Sequence, residues 1–226
     1  MRDLVLIPFL VMTNTITVAM ANDEVVVTQS TQEVEHVVDE IQRKYESVDS
    51  MAAAFVQVTR SVTLGEVHQS GTVLFQRPNK MRWDFAEPNS SAFVSDGETM
   101  WVWSSDNNQV IITETSPDLD GQGVGQLLTD LGKLDELFDV GAYVGSPLNE
   151  NEVCVNLTPR KATSFKRLAL VLSKEDYLLT RVIMVDEFDG VVELLLSNVE
   201  LDGAVSKDRF VFEIPSDATV VRSSEM

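Results

Sequence analysis

The sequence predicts a mainly β domain of the α+β class. It is one antiparallel sheet of about ten strands, curled into an incomplete barrel, with an N-terminal helix and an inserted helical lid. Three observations carry this. Short runs with a period of two recur along most of the chain, separated by turn pairs such as Pro78-Asn79, Pro88-Asn89 and Asp96-Gly97. A capped amphipathic stretch precedes them, and between strands, after a glycine-rich loop from Pro117 to Gly125, helical spacing returns from Val124 to Phe138. A helix inserted there needs an apolar surface to lie on.

Residues 1–21 read as a secretory signal. Arg2 gives the positive start, Leu4 to Val11 the apolar run, and Ala19-Met20-Ala21 a small-x-small cleavage site. Asp3 offsets Arg2, and Pro8 interrupts the run. Cleavage would leave a domain of residues 22–226 starting at Asn22, still at −19 because Arg2 and Asp3 leave together.

Ser30-Thr31-Gln32-Glu33 forms a capping box, and Val34, Val37, Val38, Ile41, Tyr45 and Val48 follow helical spacing. Phe55 to Leu64 alternates as a strand, and Gly65-Glu66 turns it into Val67 to Gln76. Next come Met81-Arg82-Trp83-Asp84-Phe85, Val94-Ser95-Asp96, Met100-Trp101-Val102-Trp103 and Gln109 to Thr113, in a meander. Val124, Leu127, Leu128, Leu131, Leu134, Leu137 and Phe138 then have helical spacing, and Gly132 favours a break into two pieces. Strands resume at Val153 to Thr158, Phe165 to Leu172, Leu178 to Asp186, Val191 to Val199 and Arg209 to Ile214.

Apolar residues make up 44% of the chain and charged ones 23%, an ordinary globular balance. No apolar run reaches the roughly eighteen residues of a membrane-spanning helix. A formal charge of −19 argues against nucleic acid, whose phosphates would repel it, and favours a monomer that resists self-association or a protein that meets a basic partner. Cys154 is the only cysteine, so no internal disulfide can form. Catalytic groupings are missing. His36 and His68 lack a partner motif, no nucleophile elbow or metal-binding helix motif occurs, and no cofactor is expected.

The region from Gln69 to Asn107 is richer. In an extended chain Val73, Phe75 and Arg77 share one face, as do Met81, Trp83 and Phe85 after the turn. One face is thus large and apolar and ends in a cation. That arginine either snorkels to solvent or turns its five fixed donors onto backbone carbonyls of the lid. Core and cavity lining have nearly the same composition, so the aromatic face fits either. Trp101 and Trp103 have parity opposite to Met100 and Val102, and either pair could face inward. A basic island, Arg160, Lys161, Lys166 and Arg167, is either a solvated hairpin end or a dock for an acidic partner or anionic headgroups.

The run Arg77-Pro78-Asn79, Trp83 four residues on, Pro88 five further, then Val94-Ser95-Asp96-Gly97 and Trp101 resembles the periplasmic outer-membrane lipoprotein carriers, the LolA family. Phe55-Val56-Gln57, Leu157-Thr158-Pro159 and Phe210-Val211-Phe212 with Pro215 fall in the expected order. The lid region, Ser116 to Val140, carries no such likeness. The resemblance implies a periplasmic, non-enzymatic carrier. Its cargo would be acylated lipoproteins, received from an inner-membrane releasing transporter and passed to an outer-membrane acceptor lipoprotein. It implies a cavity for acyl chains and a lid clasp at Arg77; the strand parity and helical spacing offer Val73, Phe75, Met81, Trp83, Phe85, Trp101, Trp103, Leu127 and Leu131 as its lining. A lipid- or lipoprotein-sensing regulatory module of the same fold is the alternative; a lipid-ester hydrolase is disfavoured for want of a nucleophile and base.

Overall fold

The computed structural model describes residues 19–21, 24–26, 29–61, 65–88, 90–114, 130–145, 148–161 and 163–222. A small ladder pairs β1 (Ala19–Ala21) with β2 (Glu24–Val26), apart from the main sheet. It straddles the expected cleavage point, and the rest of the expected signal, residues 1–18, lies outside the described residues.

Helix α1 spans Thr31–Tyr45. Ser30 caps it as its sequence demands: the hydroxyl accepts from Glu33 N at 3.2 Å while Glu33 Oε2 accepts from Ser30 N at 2.7 Å. Its buried stripe is Val34, Val37, Val38, Ile41 and Tyr45.

The meander follows as β3 (Ser50–Ser61), β4 (Gly65–Gln76), β5 (Lys80–Phe85), β6 (Ser91–Asp96), β7 (Thr99–Ser104) and β8 (Gln109–Glu114). The expected lid has its described part in a 3-10 turn, Leu131–Lys133, and one helical turn, α2 (Leu134–Leu137). Residues 115–129 lie outside the description. Phe138, expected at the end of the lid helix, instead opens strand β9 (Phe138–Ala142), because its backbone finds Pro159 as a ladder partner. Then come β10 (Glu152–Pro159), β11 (Phe165–Ser173), β12 (Leu179–Asp186), β13 (Val191–Leu201) and β14 (Thr219–Arg222).

Among the described residues twelve strands join one sheet, ordered β14-β8-β7-β6-β5-β4-β3-β13-β12-β11-β10-β9. All neighbours are antiparallel except β14, which runs parallel to β8 at the edge. No ladder joins β14 to β9, so the curled sheet is the predicted incomplete barrel. One expected strand is absent: Lys207–Phe210 is a 3-10 turn, and Val211 to Ile214 has no ladder. The run has strand composition, but the edge beside β8 is taken by Thr219–Arg222. The turn packs on β5 and β6 instead, with Phe210 1% exposed and Arg82 Nη1 donating to Arg209 O at 3.1 Å.

Cross-strand register sorts the side chains. Leu157, Leu168, Met184, Val192, Leu170, Val182 and Leu194 pair in series onto one face, which continues through Leu196, Phe55, Val73 and Trp83. Helix α1 lies on this inner face, packed against β9 and β10, and shares one core with it. The other face carries a smaller cluster of Tyr143, Cys154, Ala169 and Val171 beyond β9.

Candidate functional site

The inner face of β3 to β6 forms an aromatic shelf. Phe55 packs edge-on to Trp83 and Phe85, with ring centroids 5.0 and 5.2 Å apart. Phe75 meets Trp83 at 5.9 Å, and Phe85 meets Phe93 at 5.9 Å. These spacings lie in the range where aromatic pairs attract beyond simple burial. Gly71 makes the shelf fit. A Cβ there would lie 2.0 Å from Asp84 O and 3.0 Å from the Phe55 ring, so the ring can lie over bare backbone only because the side chain is missing.

Burial grades along the shelf. Val73 and Phe75 are 2% and 3% exposed and Trp83 8%, whereas Met81, Phe85, Phe93 and Val102 are only half-buried. The apolar lining therefore continues past the part that α1 covers. Leu131, 1% exposed, packs in the same core from the 3-10 turn. Leu127 lies outside the described residues.

Trp101 and Trp103 are placed otherwise than expected. The Asp96-to-Thr99 hairpin pairs Val94 with Trp101 and Ala92 with Trp103, while Trp83 pairs with Phe93 and Phe93 with Val102. Both tryptophans thus share the outer face with Ala92, Val94 and Val110, and it is Met100 and Val102 that point inward. Sequence reasoning passed over Phe55 and Phe93; the pairings of Phe55 with Gly71 and of Trp83 with Phe93 place both on the inner face.

Arg77 follows β4 directly and turns back across the sheet end. Its Nη1 donates to Glu46 O at 2.7 Å and its Nη2 to Tyr45 O at 3.1 Å, while its backbone N–H donates to Asp49 O at 2.8 Å. The Tyr45 and Glu46 carbonyls belong to the C-terminal end of α1, where unpaired C=O groups and the negative helix end favour a cation. The expectation was carbonyls of the inserted lid; the helix held here is α1. The two are joined at this point. A Cβ on Gly132 would come within 3.0 Å of Glu46 Cα, so the 3-10 turn lies directly on the helix end that Arg77 grips. Gln42 Oε1 also accepts from Asp135 N at 3.0 Å. A cavity of about 20 Å³, room for about one water, is lined by Tyr45, Val48, Asp49, Ser50, Met51, Phe75 and Arg77. The Tyr45 hydroxyl accepts from Leu179 N at 2.9 Å, and burial pushes its phenol up to about 12.

The basic island is gathered at one sheet end, and two of its four cations are paired with the chain's own carboxylates. Arg160 meets Asp139 at 3.1 Å and Lys166 meets Asp189; Lys161 and Arg167 are exposed. Elsewhere His68 contacts Glu66 at 2.7 Å and His36 approaches Tyr177. Burial pushes the Cys154 thiol far above its ordinary range, so it stays protonated and unreactive. Among the described residues no cluster of three metal-ligating side chains occurs. The arrangement offers apolar surface beside a helix end held by an arginine.

Known proteins share this organisation. The family described as outer membrane lipoprotein carrier protein LolA matches residues 46–213. An outer-membrane lipoprotein carrier protein of Alkalilimnicola ehrlichii is 31% identical over 188 residues, covering 81% of this chain and 83% of its own. One of Halorhodospira halophila is 31% identical over 180 residues, covering 78% and 81%. The crystal structure of an uncharacterized conserved protein from Thermus thermophilus has the same fold. Its TM-score is 0.50 at 16% identity, over 84% of this chain and 99% of that one. With the aromatic shelf, the arginine on the helix end and these matches together, the chain belongs to the LolA family of outer membrane lipoprotein carrier proteins.

Proposed function

We propose that the protein is a periplasmic carrier that holds the acyl chains of lipoproteins against the inner face of its open barrel and moves them from the inner to the outer membrane. A releasing transporter in the inner membrane would load it and an acceptor lipoprotein in the outer membrane would unload it. The observation that carries this reading is the aromatic shelf, of which Met81, Phe85, Phe93 and Val102 remain half-buried beyond α1. Their contiguity on one inner face is what supports a ligand site, since an incompletely covered apolar patch marks binding more often than scattered apolar residues do.

The need for a shield follows from hydration. Each exposed CH₂ costs about 0.8 kcal/mol, so bare acyl chains would hold cargo on a membrane or in aggregates. In this reading Val73, Phe75 and Trp83 form the floor and Met81 and Phe85 the rim. Leu127 and Leu131 come from the lid, and Arg77 sets how readily α1 and the lid yield. Residues 1–21 would direct export and be removed, and the protein would catalyse nothing.

A fluorescent fatty-acid analogue tests the reading. It should bind the purified protein with a negative heat-capacity change, the marker of apolar burial. Phe85→Asp should weaken binding at least about tenfold while leaving the far-UV spectrum near native, since the side chain is half-buried rather than central. Equal binding by the variant would rule out the shelf as the acyl site.

A further inference from the structure

The end of the sheet opposite Arg77 carries an unusual exposed residue. Arg77 follows Gln76, which pairs with Ser50 at the start of β3, whereas the turn between β12 and β13 lies where Val191 pairs with Arg60 near the end of β3. At its tip Phe188 is 88% exposed; among the described residues the next most exposed large apolar one, Val211, is at 59%. The backbone that carries Phe188 is tethered. Asp186 Oδ1 accepts from Phe188 N at 2.8 Å and from Gly190 N at 2.7 Å, and Asp186 N donates to Gly190 O at 2.9 Å. An aromatic ring on an ordered tip loses little freedom on docking. Leu137, 39% exposed, flanks the same end and accepts through its carbonyl from Arg160 N.

We propose that this sheet end is a protein-docking tip, with Phe188 as the anchor for an apolar pocket on a membrane protein that exchanges cargo with the carrier. The charges around it decide between a protein and a bare bilayer. The island that the sequence presents as basic has two of its cations committed, Lys166 to Asp189 and Arg160 to Asp139. Asp186, Glu187 and Asp189 surround Phe188 in the turn itself. Anionic headgroups would repel those carboxylates, and the whole chain at −19 adds to the repulsion. A central aromatic within a rim of both signs instead matches the anatomy of protein interfaces, where a few buried aromatics dominate and a polar rim excludes water. A partner surface presenting both signs of charge around its pocket would complement Lys161 and Arg167 as well as Glu187. The tip's place away from the Arg77 junction lets a partner hold the carrier while the clasp opens and closes.

This inference rests on the carrier reading in taking the partner to be a membrane protein, and the test separates the two. The full chain with benzoylphenylalanine replacing Phe188 is irradiated with inner-membrane and outer-membrane vesicles from the producing cell, and with liposomes of lipid extracted from them. A discrete protein adduct is expected from at least one vesicle type, and it disappears when the vesicles are first treated with protease. Co-sedimentation of Phe188→Ser with that vesicle type should fall at least about tenfold, as for loss of an interface anchor, while Phe188→Tyr retains most of it. Co-sedimentation of Phe188→Ser equal to wild type overturns the proposal. Equal binding to protein-free liposomes, with lipid the only adduct, overturns it in favour of a bilayer contact. The acyl probe is measured in parallel and should bind Phe188→Ser as it binds wild type. Failure of the probe to bind either protein would sink the carrier reading but leave a protease-sensitive adduct standing.

Discussion

Replacing Arg77 by leucine removes the guanidinium donors to Glu46 O and Tyr45 O and keeps an apolar side chain between Phe75 and the helix end. A charge-assisted hydrogen bond contributes about 1.5–3 kcal/mol net. Arg77 is half-exposed, so the pair together is placed near that lower range, about 1.5–3 kcal/mol. If cargo enters by displacing the end of α1 and the turn resting on it, only the open state binds, and apparent affinity scales with the open fraction. Losing the clasp should then tighten binding of a fluorescent acyl probe by roughly 10- to 150-fold, since 1.4 kcal/mol is a factor of ten. Release should slow, because closure no longer helps expel the ligand. Arg77→Lys should fall between, as a single ammonium cannot span both carbonyls in the planar geometry of the fork. Equilibrium titration and stopped-flow release, with hydrogen exchange at Glu46 as a report on opening, measure all three proteins. Unchanged affinity and release in Arg77→Leu would show that the arginine only finishes a helix.

Two further predictions concern the frame. Gly71→Ala places a methyl 2.0 Å from Asp84 O and against the Phe55 ring; it should cost about 1–3 kcal/mol and lower the melting temperature by roughly 2–12 °C, and an unchanged melting curve would contradict the close approach. Ser30→Ala removes the α1 cap and should cost about 1 kcal/mol in a urea titration. Hydrogen bonds from the Ser30 backbone and side chain hold the Glu33 carboxyl below its ordinary 4.5. A depressed folded value means the contribution is present above 4.5 and is lost as pH falls through the lower folded value. The stability gap between wild type and Glu33→Gln should therefore close on acidification below the ordinary carboxylate range, and a gap that persists there would show that the carboxylate is not its source.

What the sequence disclosed and withheld follows from range. The Ser30–Glu33 box and the tight turns at Pro78-Asn79 and Asp96-Gly97 are local, and each stands where the pattern puts it. The inner parity of Val73, Phe75, Met81, Trp83 and Phe85 is a property of single strands and was legible for the same reason. Trp101 and Trp103 needed one step more. Parity alone leaves the face open, whereas counting the hairpin so that Ser95 opposes Met100 settles it. The run Arg209 to Ile214 could not be read, because its composition suits a strand and only the competition of Thr219–Arg222 for the β8 edge excludes it. The partners of Arg77 are backbone carbonyls 31 and 32 residues away, which leave no mark in residue identity. Phe188 reads as one more aromatic until its exposure is seen.

The most direct measurement of the carrier account is the identity of what the protein holds in the cell. The protein is isolated from periplasm without detergent, as wild type and as Arg77→Leu, and its bound material is analysed by native mass spectrometry. Acylated lipoprotein should be found at about one per carrier, enriched in Arg77→Leu, and displaced by excess acyl probe. Both proteins emerging without acylated cargo, or with material that the probe fails to displace, would contradict the account.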